Sequence, residues 1–251
     1  AVAYVIEAAA RALPQARQWR PIRAWAGVRN TLFEWGVDSD DLSRRHEVLD
    51  HGTRDNVGGL LSVLGGKLAA YRIQSEEAVD LALTKLKRSA AASVTGERPL
   101  PGAAPQPDFL QLSQQLQLPA WALERIWRRL GDRVHQVFAG GSPQNRAPIC
   151  RSEAVTPAEI VYAVRVEGCR TLEDLRRHTH IAGGGCDGVD CASASAHIMA
   201  ELLGWSADRL NREVEQFSNE RWVGRRPVLR GGTLAQEEVW RGVHDFGSTA
   251  V

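Results

Sequence analysis

No apolar run in this 251-residue chain approaches the roughly 20 residues that cross a bilayer, so no stretch reads as a transmembrane segment. Charge of either sign is not in excess. Thirty-one basic residues face 30 acidic ones, a net charge of +1, which leaves no electrostatic case for a nucleic-acid partner. Cysteine is scarce. Four in a chain of this length make no disulfide framework, and three of them crowd one short segment, which favours a metal or cluster in a reducing compartment. The opening AVAYVIEAAARAL is not a secretory signal, because Glu7 interrupts its apolar residues and no basic leader precedes it. It is expected as an amphipathic helix stopped by Pro14. The start lacks a Met, which points to a fragment or a processed piece. There is no G-x-G-x-x-G dinucleotide fingerprint and no internal repeat.

With 43% hydrophobic and 24% charged residues, the chain has the composition of one or two globular domains. The pattern reads as α+β, with a few short antiparallel strands plus helices followed by a small all-helical cysteine-containing module. RPIRAWAGVRNTL alternates enough for a strand. RRHEVLDHG, a turn at Thr53–Asn56 and GGLLSVLGG read as a strand pair. From Lys67 the spacing becomes helical, and Leu68, Tyr71, Ala78, Val79, Leu83 and Leu86 share one broad face. Residues 89–109 have the Ala, Pro and Gly content of a linker. Residues 110–139 are helical, with LPAWALERIWRRLG the clearest piece, and 139–148 form a second connector. Beyond them Thr156 and Thr171 each start a helix as a capping box, Gly204 stops a third and Ser206 caps a fourth. The boundaries expected from these signals are 1–88, 89–148, 149–204 and 205–251.

Cys150, Cys186 and Cys191 are the candidate metal ligands. Helix starts and the run Gly183-Gly184-Gly185 with Gly188 stabilise thiolates and let the backbone close around a cluster. A [2Fe–2S] cluster takes four ligands, so Ser152 or Cys169 is the candidate fourth, with Cys169 also readable as a small buried hydrophobe. His178, His180 and His197 keep open a zinc site of three cysteines and a histidine.

Three separated motifs occur in order: WAGVRN, SRRHEVLDH and GGLLSVLGGKLAAYR; then ICRSE with TLEDLRRHTHIAGGGCDGVDC; then SNERWVGRRPV. On these residues the chain resembles the C-terminal half of the large subunit in the anaerobic glycerol-3-phosphate dehydrogenase family, whose members are FAD-dependent and respiratory. The middle motif is similar to bacterioferritin-associated-ferredoxin-like [2Fe–2S] domains, which read C-x-C-E and later C-x4-C.

The resemblance implies a subunit or fragment of a flavin-dependent dehydrogenase that oxidises glycerol 3-phosphate or a related secondary alcohol. Its electrons would pass to an iron–sulfur and quinone chain. Arg29 and Arg44 then take substrate-phosphate positions, Lys67 the catalytic position beside the flavin, and Gly65, Gly66, Lys67 and Leu68 the cofactor-side loop. FAD is held mainly by a partner chain or a missing amino-terminal domain, so the chain is not active alone. Iron–sulfur and quinone-linked subunits are the other implied partners. The implied location is cytoplasmic, peripheral to the inner membrane through those partners. Departures from the family pattern fall on Asn30, Ala69, Ala70, Ser152, His178, His180 and the glycines 183 and 184. They support the alternative of a non-catalytic assembly or metal-binding module in a larger oxidoreductase complex.

Overall fold

The computed structural model describes residues 1–28, 31–38, 41–89, 91–139, 143–186 and 188–243. It is helix-rich with one two-stranded antiparallel sheet, an α+β chain. Contacts divide it into two compact units, residues 26–101 and residues 1–25 with 102 onward.

In the first unit β1 (His46–Asp50) pairs antiparallel with β2 (Leu61–Gly65), His46 opposite Gly65 and Asp50 opposite Leu61. Between them the expected turn is one helical turn, α2 (His51–Arg54), capped by the Asp50 carboxylate, which accepts from the Gly52 N–H at 2.9 Å. After Gly65 and Gly66 comes α3 (Tyr71–Lys85). Its apolar residues do not form a buried stripe. Leu68 is 90% exposed, and Tyr71, Val79 and Leu86 are exposed as well. Helical spacing gave the helix correctly but not its burial, because a face is buried only where another element covers it.

The second unit opens with α1 (Val2–Ala10), which ends before Pro14 starts a short 3-10 turn. The strand expected from residue 20 does not form. Residues 20–28 have no regular structure, and the Ala24 N–H donates at 2.8 Å to the carbonyl of Gly224 on a helix instead of to a sheet neighbour. The helical stretch expected over 110–139 is three helices: α4 (Phe109–Leu116), α5 (Ala120–Leu130) and α6 (Val134–Phe138). Asp108 caps α4, Gln117 ends it in a left-handed conformation, and Gly131 ends α5.

The helices read from caps are all present. They are α7 (Pro157–Arg165), α8 (Leu172–Thr179), α9 (Ala192–Leu203) and α10 (Ala207–Arg225). Thr156 with Glu159, and Thr171 with Asp174, form complete capping boxes, and Gly204 closes α9 in the left-handed region. A last helix, α11 (Gly232–Val243), was not separated from the tail by sequence pattern. Helix α7 serves two cores. Ile160, Ala163 and Val164 pack with Leu172, Leu175, Ile181, Met199 and Phe217, whereas Ala158 and Tyr162 pack with Leu123, Ile126 and Phe138. Arg129 of α5 reaches Glu159 at 2.6 Å, with side chains 5% and 1% exposed. The buried pair therefore ties α5 to the cap of α7.

Candidate functional site

Two places carry the residues singled out above, one in each unit. In the first unit, Arg44 stands two residues before β1 and Lys67 two residues after β2. The antiparallel register, with His46 opposite Gly65, therefore puts both at the same end of the hairpin. Both are exposed, and neither makes a side-chain hydrogen bond or ion pair among the described residues. Gly65 and Gly66 have φ of +68° and +83°. A Cβ on Gly65 would lie 2.5 Å from the Arg45 carbonyl oxygen, so the chain turns here only with glycine. The turn exposes Lys67 and Leu68. Arg29 lies outside the described residues. The polar groups at the far end were not assigned from sequence. His51 Nε2 lies 2.9 Å from the Ser62 hydroxyl, and Lys85 pairs with Asp50. The LDH motif contains two of these residues, but only the hairpin shows that β2 and α3 complete the group.

In the second unit, two loops bring Cys150 and Cys191 into hydrogen-bond contact, with Cys186 on the second loop. The N–H groups of Ile149 and Cys150 both point at the Val155 carbonyl, at 2.9 and 3.3 Å, which folds residues 151–154 into a tight loop. Ala154 takes φ +55° there, and His180 and Ala182 take +62° and +60° in the facing loop. Three non-glycine residues in this region within two loops mark a backbone held in a costly shape by its surroundings. Cys150 and Cys191 are buried and Cys186 is partly exposed. The Cys191 thiol hydrogen-bonds Cys150 and, with the Ser152 hydroxyl 3.6 Å from its sulfur and the N–H groups of Ala182 and Glu153, holds the Cys150 thiol down to about 5 against burial. The same hydrogen bond, with burial and the charges of Cys150 and Cys186, pushes Cys191 up. A Cβ on Gly184 would lie 2.3 Å from the Ser152 hydroxyl, so the glycine loop closes directly onto this serine.

Cys169 is not part of this group. It is 1% exposed at the turn between α7 and α8, with its N–H on the Ala163 carbonyl at 3.0 Å. Burial, with Glu167 and Asp174 beside it, pushes its thiol up to about 11. It packs as a small buried hydrophobe, the other reading its sequence position allowed. His178 and His197 have other partners: His178 Nδ1 is 2.9 Å from Glu167, and His197 Nδ1 is 2.8 Å from the Ser193 carbonyl. His180 ends α8 and lines a neighbouring cleft. Among the described residues no three His, Cys, Asp or Glu side chains converge as they stand on a metal-sized point. The donor set nevertheless fits iron–sulfur ligation in kind. Three thiols and a hydroxyl come from two facing loops, and amide N–H groups are aimed at a sulfur.

Residues 93–210 match the family described as the C-terminal domain of alpha-glycerophosphate oxidase. The chain is 33% identical over 237 residues to an anaerobic glycerol-3-phosphate dehydrogenase subunit of Escherichia coli (strain K12), covering 92% of this chain and 42% of that protein. It is 32% identical over 248 residues to anaerobic glycerol-3-phosphate dehydrogenase subunit A1 of Haloferax volcanii, covering 96% of this chain and 40% of that protein. A glycerol-3-phosphate dehydrogenase of Synechocystis is 30% identical over 223 residues, covering 85% of this chain and 40% of that protein. The chain thus spans less than half the length of these relatives.

Proposed function

Because residues 93–210 belong to the alpha-glycerophosphate oxidase C-terminal domain family and nearly the whole chain aligns with glycerol-3-phosphate dehydrogenase subunits, we propose that it forms part of such a flavin-dependent dehydrogenase. The observation that carries this is the hairpin register, which brings the Arg44 and Lys67 positions to one exposed end. A bound FAD would supply hydride-acceptor chemistry toward a secondary alcohol. Arg44 binds the substrate phosphate, for which a guanidinium has the charge and the bidentate geometry. Lys67 stabilises negative charge developing on the substrate oxygen or on the reduced flavin ring. No dinucleotide fingerprint is present, so this reading assigns FAD mainly to another domain or chain, and iron–sulfur and quinone-linked subunits are its other partners. It also implies a cytoplasmic position, attached to the inner membrane through those partners. No helix among the described residues is long and apolar enough to cross a membrane.

In the same reading Cys150, Cys186 and Cys191 hold a [2Fe–2S] cluster with Ser152 as the fourth ligand. Such a cluster supplies one-electron transfer when bound. Serine oxygen is a weaker ligand than thiolate, so Ser152→Cys should raise iron and sulfide retention after anaerobic reconstitution, at unchanged helix content by circular dichroism. If neither form retains iron, the loops serve assembly alone. For the hairpin, Arg44→Ala in the assembled enzyme should raise KM for glycerol 3-phosphate by on the order of 10- to 150-fold, the loss of a charge-assisted contact. An unchanged KM removes Arg44 from the site.

A further inference from the structure

The motif SNERWVGRRPV is left unused by the dehydrogenase reading, yet its Arg225 lines a cleft of about 490 Å³. The cleft is lined by Arg23, Arg176 and Arg225, by His180, by the glycines 183–185, and by Ile22 and Trp25. Its construction is specific. The Ala24 N–H donates at 2.8 Å to the carbonyl of Gly224, which straps residues 22–25 along α10. The stem of Arg23 crosses that helix where Gly224 has no side chain, and a Cβ there would lie 2.8 Å from Arg23 Cγ. Arg176 is held by Glu173, with Nε 2.8 and 2.9 Å from its two oxygens, and Arg225 by Glu237 at 3.1 Å. The one carboxylate on the lining, Glu153, is paired with Arg125 at 2.9 Å. Behind them Arg221 lies over the Phe217 ring and donates to the Ala182 carbonyl at 3.0 Å.

Four guanidiniums crowd one another here. Burial, then Arg221, Arg176 and Arg225, pull Arg23 down to about 10 against Glu173, and burial with Arg176 does the same to Arg221 against Glu173, Cys186 and Glu220. Crowding like charges in a half-buried place is costly, and a bound anion relieves it. The volume lies within the range of small-molecule sites. Trp25 is 85% exposed and offers a flat apolar wall beside the cations.

We propose that this cleft is a binding site for a phosphate monoester with a small apolar or aromatic body. The phosphate is held by Arg23, Arg176 and Arg225, and the body lies against Trp25 and Ile22. The site uses none of the hairpin residues and does not depend on the dehydrogenase reading.

The test uses the 251-residue chain, with inorganic phosphate and phenyl phosphate as probes in isothermal titration calorimetry at low salt. Phenyl phosphate should bind more tightly than inorganic phosphate. Arg225→Gln should weaken both, on the order of 10-fold or more. Trp25→Ala should remove the advantage of phenyl phosphate and leave phosphate affinity in place. Because Arg225 also pairs with Glu237, Gly224→Ala serves as a second variant: it displaces Arg23 without removing a charge and should also weaken both probes. Absence of binding at millimolar concentrations of either probe overturns the proposal. So does affinity unchanged by both Arg225→Gln and Gly224→Ala.

Discussion

The hairpin region, 26–101, and the cysteine-bearing helices, 149–225, are held together differently. Among the described residues of 26–101 only Leu49 is buried. The helical region has a continuous core that includes Ile160, Leu172, Leu175, Ile181 and Met199, each no more than 2% exposed. Its helices α7, α8 and α10 start on side-chain caps, Thr156, Thr171 and Ser206, and the Glu213 carboxylate also accepts from the Leu172 N–H at 2.8 Å. In 26–101 the stabilising contacts are mostly polar and near the surface, such as Lys85 with Asp50 and His46 with Glu77. The difference teaches which region carries its own folding free energy. Burial of apolar area dominates stability, and exposed ion pairs add little. The helical region is self-sufficient by this measure, whereas 26–101 displays apolar residues that a further surface would cover, consistent with a chain that spans under half of its relatives.

The largest expected effect comes from Glu159→Ala. It leaves the buried Arg129 guanidinium without its carboxylate, with only the Glu153 carbonyl to accept from it, and should cost about 3–5 kcal/mol of helical-region stability in urea unfolding. Amide exchange in 46–65 should stay unchanged if the two regions are energetically independent, and a matching acceleration there would break the comparison. Next come paired truncations. Ile160→Ala should cost about 2–5 kcal/mol, and Leu49→Ala less, because Leu49 has few buried neighbours in its own unit. Equal costs would show that 26–101 has a core of its own weight. Thr171→Ala removes one half of a capping box and should cost about 1 kcal/mol, read as faster exchange confined to α8.

The smallest effect is in the hairpin and depends on pH. Lys85, then the Thr53 hydroxyl, and the Gly52 N–H hold the Asp50 carboxyl down to about 2 against burial. Its folded value is therefore below the unfolded value of about 3.9. The contribution is fully present above the unfolded value and is lost as pH falls toward about 2. Exchange of the β1 and β2 amides should accelerate over that window and lose the added slope in Asp50→Asn. An identical pH profile in the variant would remove Asp50 from the hairpin's support.

Much of the helical region was legible because its signals are local. A cap residue, a partner three positions on and a closing glycine act within one turn, so Thr156, Thr171, Gly204 and Ser206 mark boundaries without knowledge of the fold. The strand pair was legible for the same reason, since β1 and β2 are close in sequence. The strand expected from residue 20 failed because its backbone found a partner about 200 positions away, at Gly224. Cys169 was kept as a candidate ligand because spacing cannot tell which side of α7 and α8 a thiol faces. The arginine cleft was missed although Arg221 and Arg225 lie in the SNERWVGRRPV motif, because Arg23 and Arg225 meet only after α10 folds back along the strap.

By itself the sequence determined the strand pair and the capped helices, the order of the family-like motifs and the residue types at each candidate position. Only the tertiary structure decided which thiols share a site, which apolar face stays open and where the guanidiniums gather. Caps and periodicity are set by neighbours within one or two turns of chain. Burial, pKa shifts and charge crowding are set by groups brought together across it, such as Cys150 with Cys191 and Arg23 with Arg221.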